Sequence, residues 1–234
     1  MNSTNTTDTL SQAEIFKRFA IYGDLVSFKP FGGGHINGTY LSVWNQAGTQ
    51  VRYTHQRINR RVFQNPAAVI ENIRRITEHI AAKLIAEAEP AATIATQPTP
   101  QPGTAAVPVS RQALTLIPAK DGRFFYLDPA GEYWRTYLFI EDAVTYERME
   151  SSALARKAGA AIGAFQRQLS DYRGPALHET IPDFHNMHSR YDQLDHAVAH
   201  DVAGRLAEVR AELAFLEANR ARGMILSDGL ARGT

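Results

Sequence analysis

Residues Phe31-Gly32-Gly33-Gly34-His35-Ile36-Asn37-Gly38-Thr39 place four glycines within nine positions. The runs on either side both read as strands: Val26, Phe28 and Pro30 alternate with Ser27 and Lys29 before the cluster, and Tyr40 to Trp44 follow it. Glycine lacks a Cβ, so such a turn reaches positive φ and lets several backbone N–H groups converge on one point, the geometry that holds a phosphate. Because a strand follows, the pattern is a hairpin, unlike the phosphate-binding fingerprints in which a strand runs into a helix. The alternative reading is a hairpin loop with no ligand.

The rest of the chain supplies a frame for that hairpin. A capping-box pattern at Ser11 and Glu14, with Ile15, Phe16 and Phe19 at helical spacing, predicts a short lead-in helix over Ser11 to Tyr22. A third strand is expected over Gln50 to Ile58, after the turn Asn45-Gln46-Ala47-Gly48-Thr49. Asn65-Pro66 then opens a long amphipathic helix with Val69, Ile73, Ile76, Ile80 and Leu84 on one stripe. From Glu89 to Pro108 the composition turns to Ala, Thr, Gln and Pro, which predicts a solvated loop over 89–110. Strand character returns at Ala113 to Ile117, Arg123 to Leu127 and Tyr133 to Ile140.

After Glu141-Asp142 the period is helical. Ser151-Ser152 cap a helix whose Leu154, Ala158, Ala161, Ile162, Phe165 and Leu169 form the expected buried face, with Gly159 and Gly163 on a flank where another helix has room to approach. A last helical region carries Leu194, Val198, Val202, Leu206, Val209, Leu213 and Leu216, with Asp201 as a break and cap, and Arg220, Arg222 and Gly223 read as a C-terminal turn. The fold class is therefore α+β. Residues 1–22 form a tail and lead-in helix, 23–142 an antiparallel-sheet lobe with one packed helix, and 143–234 the start of a helical lobe.

Bulk properties narrow the chemistry. A chain of 234 residues with 44% apolar residues has enough material for a sizeable core. Its 25 Lys and Arg against 24 Asp and Glu leave a net charge of +1, so no overall field recruits nucleic acid or an anionic membrane. The absence of cysteine excludes disulfides, thiolate metal sites and a cysteine nucleophile. The first seven residues lack the blocks of a signal peptide and no apolar run nears the ~18 residues of a membrane span, so the sequence reads as cytoplasmic.

Several separated segments together resemble one family. They are Phe31 to Tyr40, Gln56-Arg57-Ile58-Asn59 with Val62-Phe63-Gln64-Asn65-Pro66, Tyr133-Trp134-Arg135 before Phe139-Ile140, and Ile181-Pro182-Asp183-Phe184-His185-Asn186 with Arg190. In this order they resemble the kinase-like aminoglycoside phosphotransferase superfamily, most closely its N-acetylhexosamine 1-kinase-like branch. The resemblance implies a protein-kinase-like fold, with ATP and Mg²⁺ as cofactors and phosphoryl transfer to a sugar or aminosugar hydroxyl.

It further implies nucleotide contacts from Gly32, Gly33, Gly34, His35, Asn37, Gly38 and Thr39. Phe139, Ile140 and Glu141 become a hinge for adenine, although the same residues read equally as an ordinary strand end. Proteins of this fold carry a lysine on the third strand, and here Arg57, or less favourably Gln56, stands in that region, with a surface arginine as the alternative. Glu71 is the expected ion-pair partner by distance, yet on a helical wheel it points away from the apolar stripe. His35, His185 and Arg190 are candidates for contact with the sugar.

The family's His-Asn-Asp or His-Gly-Asp catalytic motif, the metal-binding Asn after it and a further Asp motif do not occur in residues 1–234. The stretch Ala221 to Thr234 resembles the segment leading into that catalytic loop. The chain as given is thus expected to have no catalytic residue, its Mg²⁺ ligands lying downstream of residue 234, and not to turn over alone. A non-catalytic nucleotide- or ligand-binding regulatory module is the second reading. Asp192, His196 and His200 share one helical face near His185 and His188 but read as a solvated polar face, lacking the spacing of a hydrolytic metal site.

Overall fold

The computed structural model describes residues 12–94 and 109–233. The expected tail, the Ser11 cap and most of the Pro-rich segment lie outside the described residues. Contacts divide the chain into two compact units, one through Thr180 and one from Ile181.

The first unit is built on a six-stranded antiparallel sheet. Its strands are β1 (Asp24–Pro30), β2 (Gly38–Gln46), β3 (Thr49–Arg57), β4 (Leu116–Ile117), β5 (Tyr126–Leu127) and β6 (Tyr133–Leu138), ordered β1-β2-β3-β6-β4 with β5 also paired to β6. The α+β class and the opening three-stranded meander follow the sequence pattern. β4 and β5 are shorter than expected. Between them Ala119 N donates to Arg123 O and Asp121 accepts from the Arg123 backbone and guanidinium, so a local turn takes backbone groups that a longer ladder would use.

Strand alternation sorts the side chains to two faces. On one face α1 (residues 12–16) and the turn after it bury Phe16 and Phe19 against Trp44, Tyr53 and Trp134. The Phe16 ring lies flat on the His55 imidazole at 3.9 Å and meets Phe28 edge-on at 5.3 Å. His55 is fully buried and satisfied at both ring nitrogens, by Ser42 Oγ at 2.7 Å and Thr136 Oγ1 at 2.7 Å, while the Trp44 indole N–H donates to Ser42 Oγ at 2.9 Å. Burial holds this histidine neutral, its pKa pushed down to about 3.

Helix α2 (Pro66–Ile94) begins as expected: Asn65 Oδ1 accepts from Ala68 N, and Pro66 occupies the first helical position. It runs past Glu89 and through Pro90, where a loop was expected. The alanines at 81, 82, 86, 88, 91 and 92 carry enough helix propensity to prolong it. A single helical turn, α3 (Val109–Gln112), precedes β4.

α4 (Ser152–Leu169) is capped by Ser151 Oγ, which accepts from Leu154 N at 3.1 Å. Its expected buried face is not buried. Leu154, Ala158 and Leu169 are half-covered, while Ala161, Ile162 and Phe165 are exposed, and the flank at Gly159 and Gly163 is open space. Polar contacts tie the segment that follows the helix to α2: Lys83 Nζ reaches Asp171 at 2.8 Å, and Asn72 exchanges two hydrogen bonds with the His178 backbone.

The second unit contains α5 (Met187–His200), a 3₁₀ turn (Leu206–Val209), α6 (Arg210–Ala218) and α7 (Arg220–Arg232). Asp201 adopts φ 36°, ψ 46° and ends α5, and its carboxylate accepts from Arg205 N and Leu206 N, so it is both the break and the cap. The expected turn at Arg220–Gly223 is instead the first turn of α7. Gly223 lies beside the buried Tyr191 ring, which a Cβ there would meet at 3.4 Å, an ordinary van der Waals contact. On the stripe Leu194 and Val198 are half-buried, but Val202, in the link after α5, is 95% exposed.

Candidate functional site

The glycine-rich segment links β1 to β2 as a hairpin, with Phe31 N donating to Thr39 O at 2.9 Å to close its base. Gly32 has φ +80°, which a side chain would strain, and a Cβ at Gly32, Gly33 or Gly34 would meet nothing within 4 Å. The loop therefore stands open, with His35 exposed at its tip. Asn37 acts within the fold, since its Oδ1 accepts from Asn59 N at 3.0 Å and ties the returning limb of the loop to the end of β3.

The second sheet face gathers most of the other candidates. Phe31, which opens the loop, meets Phe139 at the end of β6 edge-to-face at 5.6 Å. Phe139 N donates to Arg52 O at 3.0 Å, the Arg52 guanidinium lies 4.4 Å from the Phe139 ring, and both Arg52 Nε and Nη2 bond the Glu141 carboxylate. Phe139 and Glu141 are thereby clamped to β3, with Ile140 between them. The register pairs Leu41 with Thr54 and Thr54 with Tyr137, making the floor beside this aromatic pair.

Farther along the same face the register brings Thr39, Gln56 and Arg135 side by side. Arg135 Nε and Nη2 donate to Gln56 Oε1 at 3.0 and 2.7 Å, and Gln56 Nε2 donates to Thr39 Oγ1 at 3.1 Å. Arg135 Nη1 is buried with no partner. Burial lowers the Arg135 pKa and raises that of Tyr137, whose hydroxyl pairs with Thr54. Sequence patterns assign Arg135 no role of its own. The signal that could have found it is a lone cation in the otherwise uncharged strand Tyr133–Leu138, directly across from Gln56.

Arg57 projects to the opposite face, the one that carries His55. There it lines a pocket of about 330 Å³ with Ile36, Gly38, Asn59, Arg60, Arg61 and Glu132. Gln56, the less favoured of the two candidates, is the one on the face with Thr39 and Phe139. Glu71 bonds Arg74 and Arg75 of its own helix, which hold its carboxyl down to about 2.

His185 and Arg190 belong to the second unit. His185 is exposed and packs edge-on against Phe184 at 4.7 Å, while Arg190 Nη2 donates to Asp183 O and its Nε is buried without a partner. Asn186 caps α5, and the His196 and His200 rings lie 4.1 Å apart with His200 Nδ1 bonded to His196 O. Among the described residues no group of three or more His, Asp or Glu side chains is arranged to hold a metal, and no helix is long and apolar enough to cross a membrane. No protein-family model matches the sequence.

Proposed function

We propose that the sheet unit is the nucleotide-binding lobe of an ATP-dependent phosphotransferase of the aminoglycoside phosphotransferase or N-acetylhexosamine kinase type, acting on a sugar hydroxyl within a protein-kinase-like fold. The reading rests on one observation above the rest. The first residue of the glycine loop and the first residue of the proposed hinge, far apart in sequence, are in ring contact on one sheet face at 5.6 Å. A flat base then has the Phe31 and Phe139 rings and the Leu41 side of the sheet as its walls, and the phosphates extend toward Thr39 under the glycine loop.

The donor set suits ATP. Backbone N–H groups of the open loop and the Thr39 hydroxyl offer donors where phosphates need them, and Arg135 stands behind Thr39 and Gln56 with positive charge. Bound ATP supplies the transferable phosphoryl group, and the residues of this chain hold and orient it. Mg²⁺ would accompany the nucleotide; among the described residues no metal-ligand cluster is assembled.

Titration calorimetry of the purified chain with ATP, ADP and adenosine tests the reading. Binding of ATP, weakened about tenfold by Phe139→Ala, is the expected result. A folded chain that binds none of the three overturns it. Binding without phosphoryl transfer to any hexosamine or aminoglycoside, by a form extended past Thr234, favours the regulatory-module reading instead.

A further inference from the structure

We infer that the phosphate-facing positive charge of this lobe comes from Arg135 on β6, delivered through the Gln56 amide to the Thr39 hydroxyl, which donates its proton to a nucleotide phosphate oxygen. This rests on the nucleotide reading of the sheet face and names the residues that replace a third-strand lysine in it.

The chemistry of the three side chains fixes the direction of the chain. A guanidinium has only donors, so the two bonds from Arg135 at 3.0 and 2.7 Å require an oxygen on Gln56, and its NH₂ must face Thr39. Thr39 Oγ1 accepts that N–H at 3.1 Å. A hydroxyl has one proton to give, and among the described residues this one gives it to no other group. Thr39 stands at the C-terminal root of the glycine loop, where Thr39 O closes the loop base on Phe31 N. Its free O–H is therefore a polarised donor at the mouth of the proposed phosphate site.

The charge behind the relay is uncompensated. Among the described residues no carboxylate pairs with Arg135, burial disfavours its charged form, and Nη1 has no partner. A protein rarely keeps a cation in such a place without an anion to meet. Gln56 carries that field one residue closer to the loop, so Gln56 and Arg135 are positioning residues and Thr39 touches the ligand.

The test measures the affinity gained from phosphates. Calorimetry with ATP and with adenosine is run on the wild type, Thr39→Val, Thr39→Ser and Gln56→Met, each checked for folding by thermal denaturation. The expected result is a loss of about tenfold in ATP affinity for Thr39→Val and Gln56→Met, unchanged adenosine affinity, and recovery in Thr39→Ser. Equal weakening of ATP and adenosine, or ATP affinity that Thr39→Val leaves untouched, overturns the relay and leaves the nucleotide site standing. A wild-type chain that binds neither overturns both.

Discussion

The two faces of the sheet use the same strands and solve opposite problems. On the face covered by α1, a titratable residue is buried and completed: His55 has a partner on each ring nitrogen and an aromatic ring stacked on its plane. On the other face a charged side chain is half-buried and left incomplete, since Arg135 satisfies only part of its guanidinium on Gln56 and its buried Nη1 has no partner. A fully matched polar group fixes a core, and an unmatched buried one calls for an explanation beyond the core. The first face is a completed core, and the second carries the proposed site.

Four perturbations sharpen that contrast. The largest effect belongs to the completed face. Phe16→Ala removes a fully buried ring that touches Phe28, Tyr40, His55 and Trp134, and is expected to cost about 3–5 kcal/mol in chemical denaturation. A loss under about 1 kcal/mol would mean that α1 does not hold this face.

Next is His55. Unfolded, it titrates near pH 6.5, and folded, near 3, so the unfolded chain takes up a proton that the folded one refuses between those values. Its contribution is whole above pH 6.5 and declines toward pH 3 by about 1.4 kcal/mol per pH unit. His55→Leu should flatten that slope in denaturation curves taken across pH 3 to 7, and should itself cost about 1–3 kcal/mol by stranding Ser42 and Thr136. An unchanged slope would place the acid sensitivity elsewhere.

On the other face the effects should fall on ligand and hardly on stability. Phe139→Ala is expected to weaken ATP about tenfold, roughly 1.4 kcal/mol, while moving the melting temperature less than Phe16→Ala does. The reverse pattern would make the Phe31–Phe139 contact ordinary core. Smallest of all, Arg52→Ala opens a half-exposed ion pair with Glu141 and should cost no more than about 1 kcal/mol of stability. Its readout is the segment after β6: faster amide exchange is expected at Phe139, whose N–H bonds the Arg52 carbonyl, and no change would mean that β6 holds this segment by itself.

Much of the frame was legible along the chain. The hairpin, the third strand, the Asn65-Pro66 helix start and the Asp201 break each depend on residues within a few positions of one another, where turn and cap chemistry operate. Where sequence patterns misled, the cause was packing at a distance. Gly223 carries the signature of a helix end but lies in the first turn of α7, packed beside Tyr191 of α5, and the apolar stripe of α4 predicted a partner that its unit leaves off Ile162 and Phe165. Periodicity says which face is apolar, and only packing says what covers it.

The sequence by itself determined that four glycines would sit between two strands, that a capped helix would follow the third, and that nothing in the composition called for nucleic acid, thiol chemistry or a membrane span. Tertiary structure alone decided which charge stands behind the loop. Arg57 and Gln56 are neighbours in sequence, but a strand sends adjacent side chains to opposite faces, and register then sets Gln56 across from Arg135, 79 residues away. No pattern read along the chain contains that pairing, because a cross-strand bond is fixed by the register of two strands together and by neither alone.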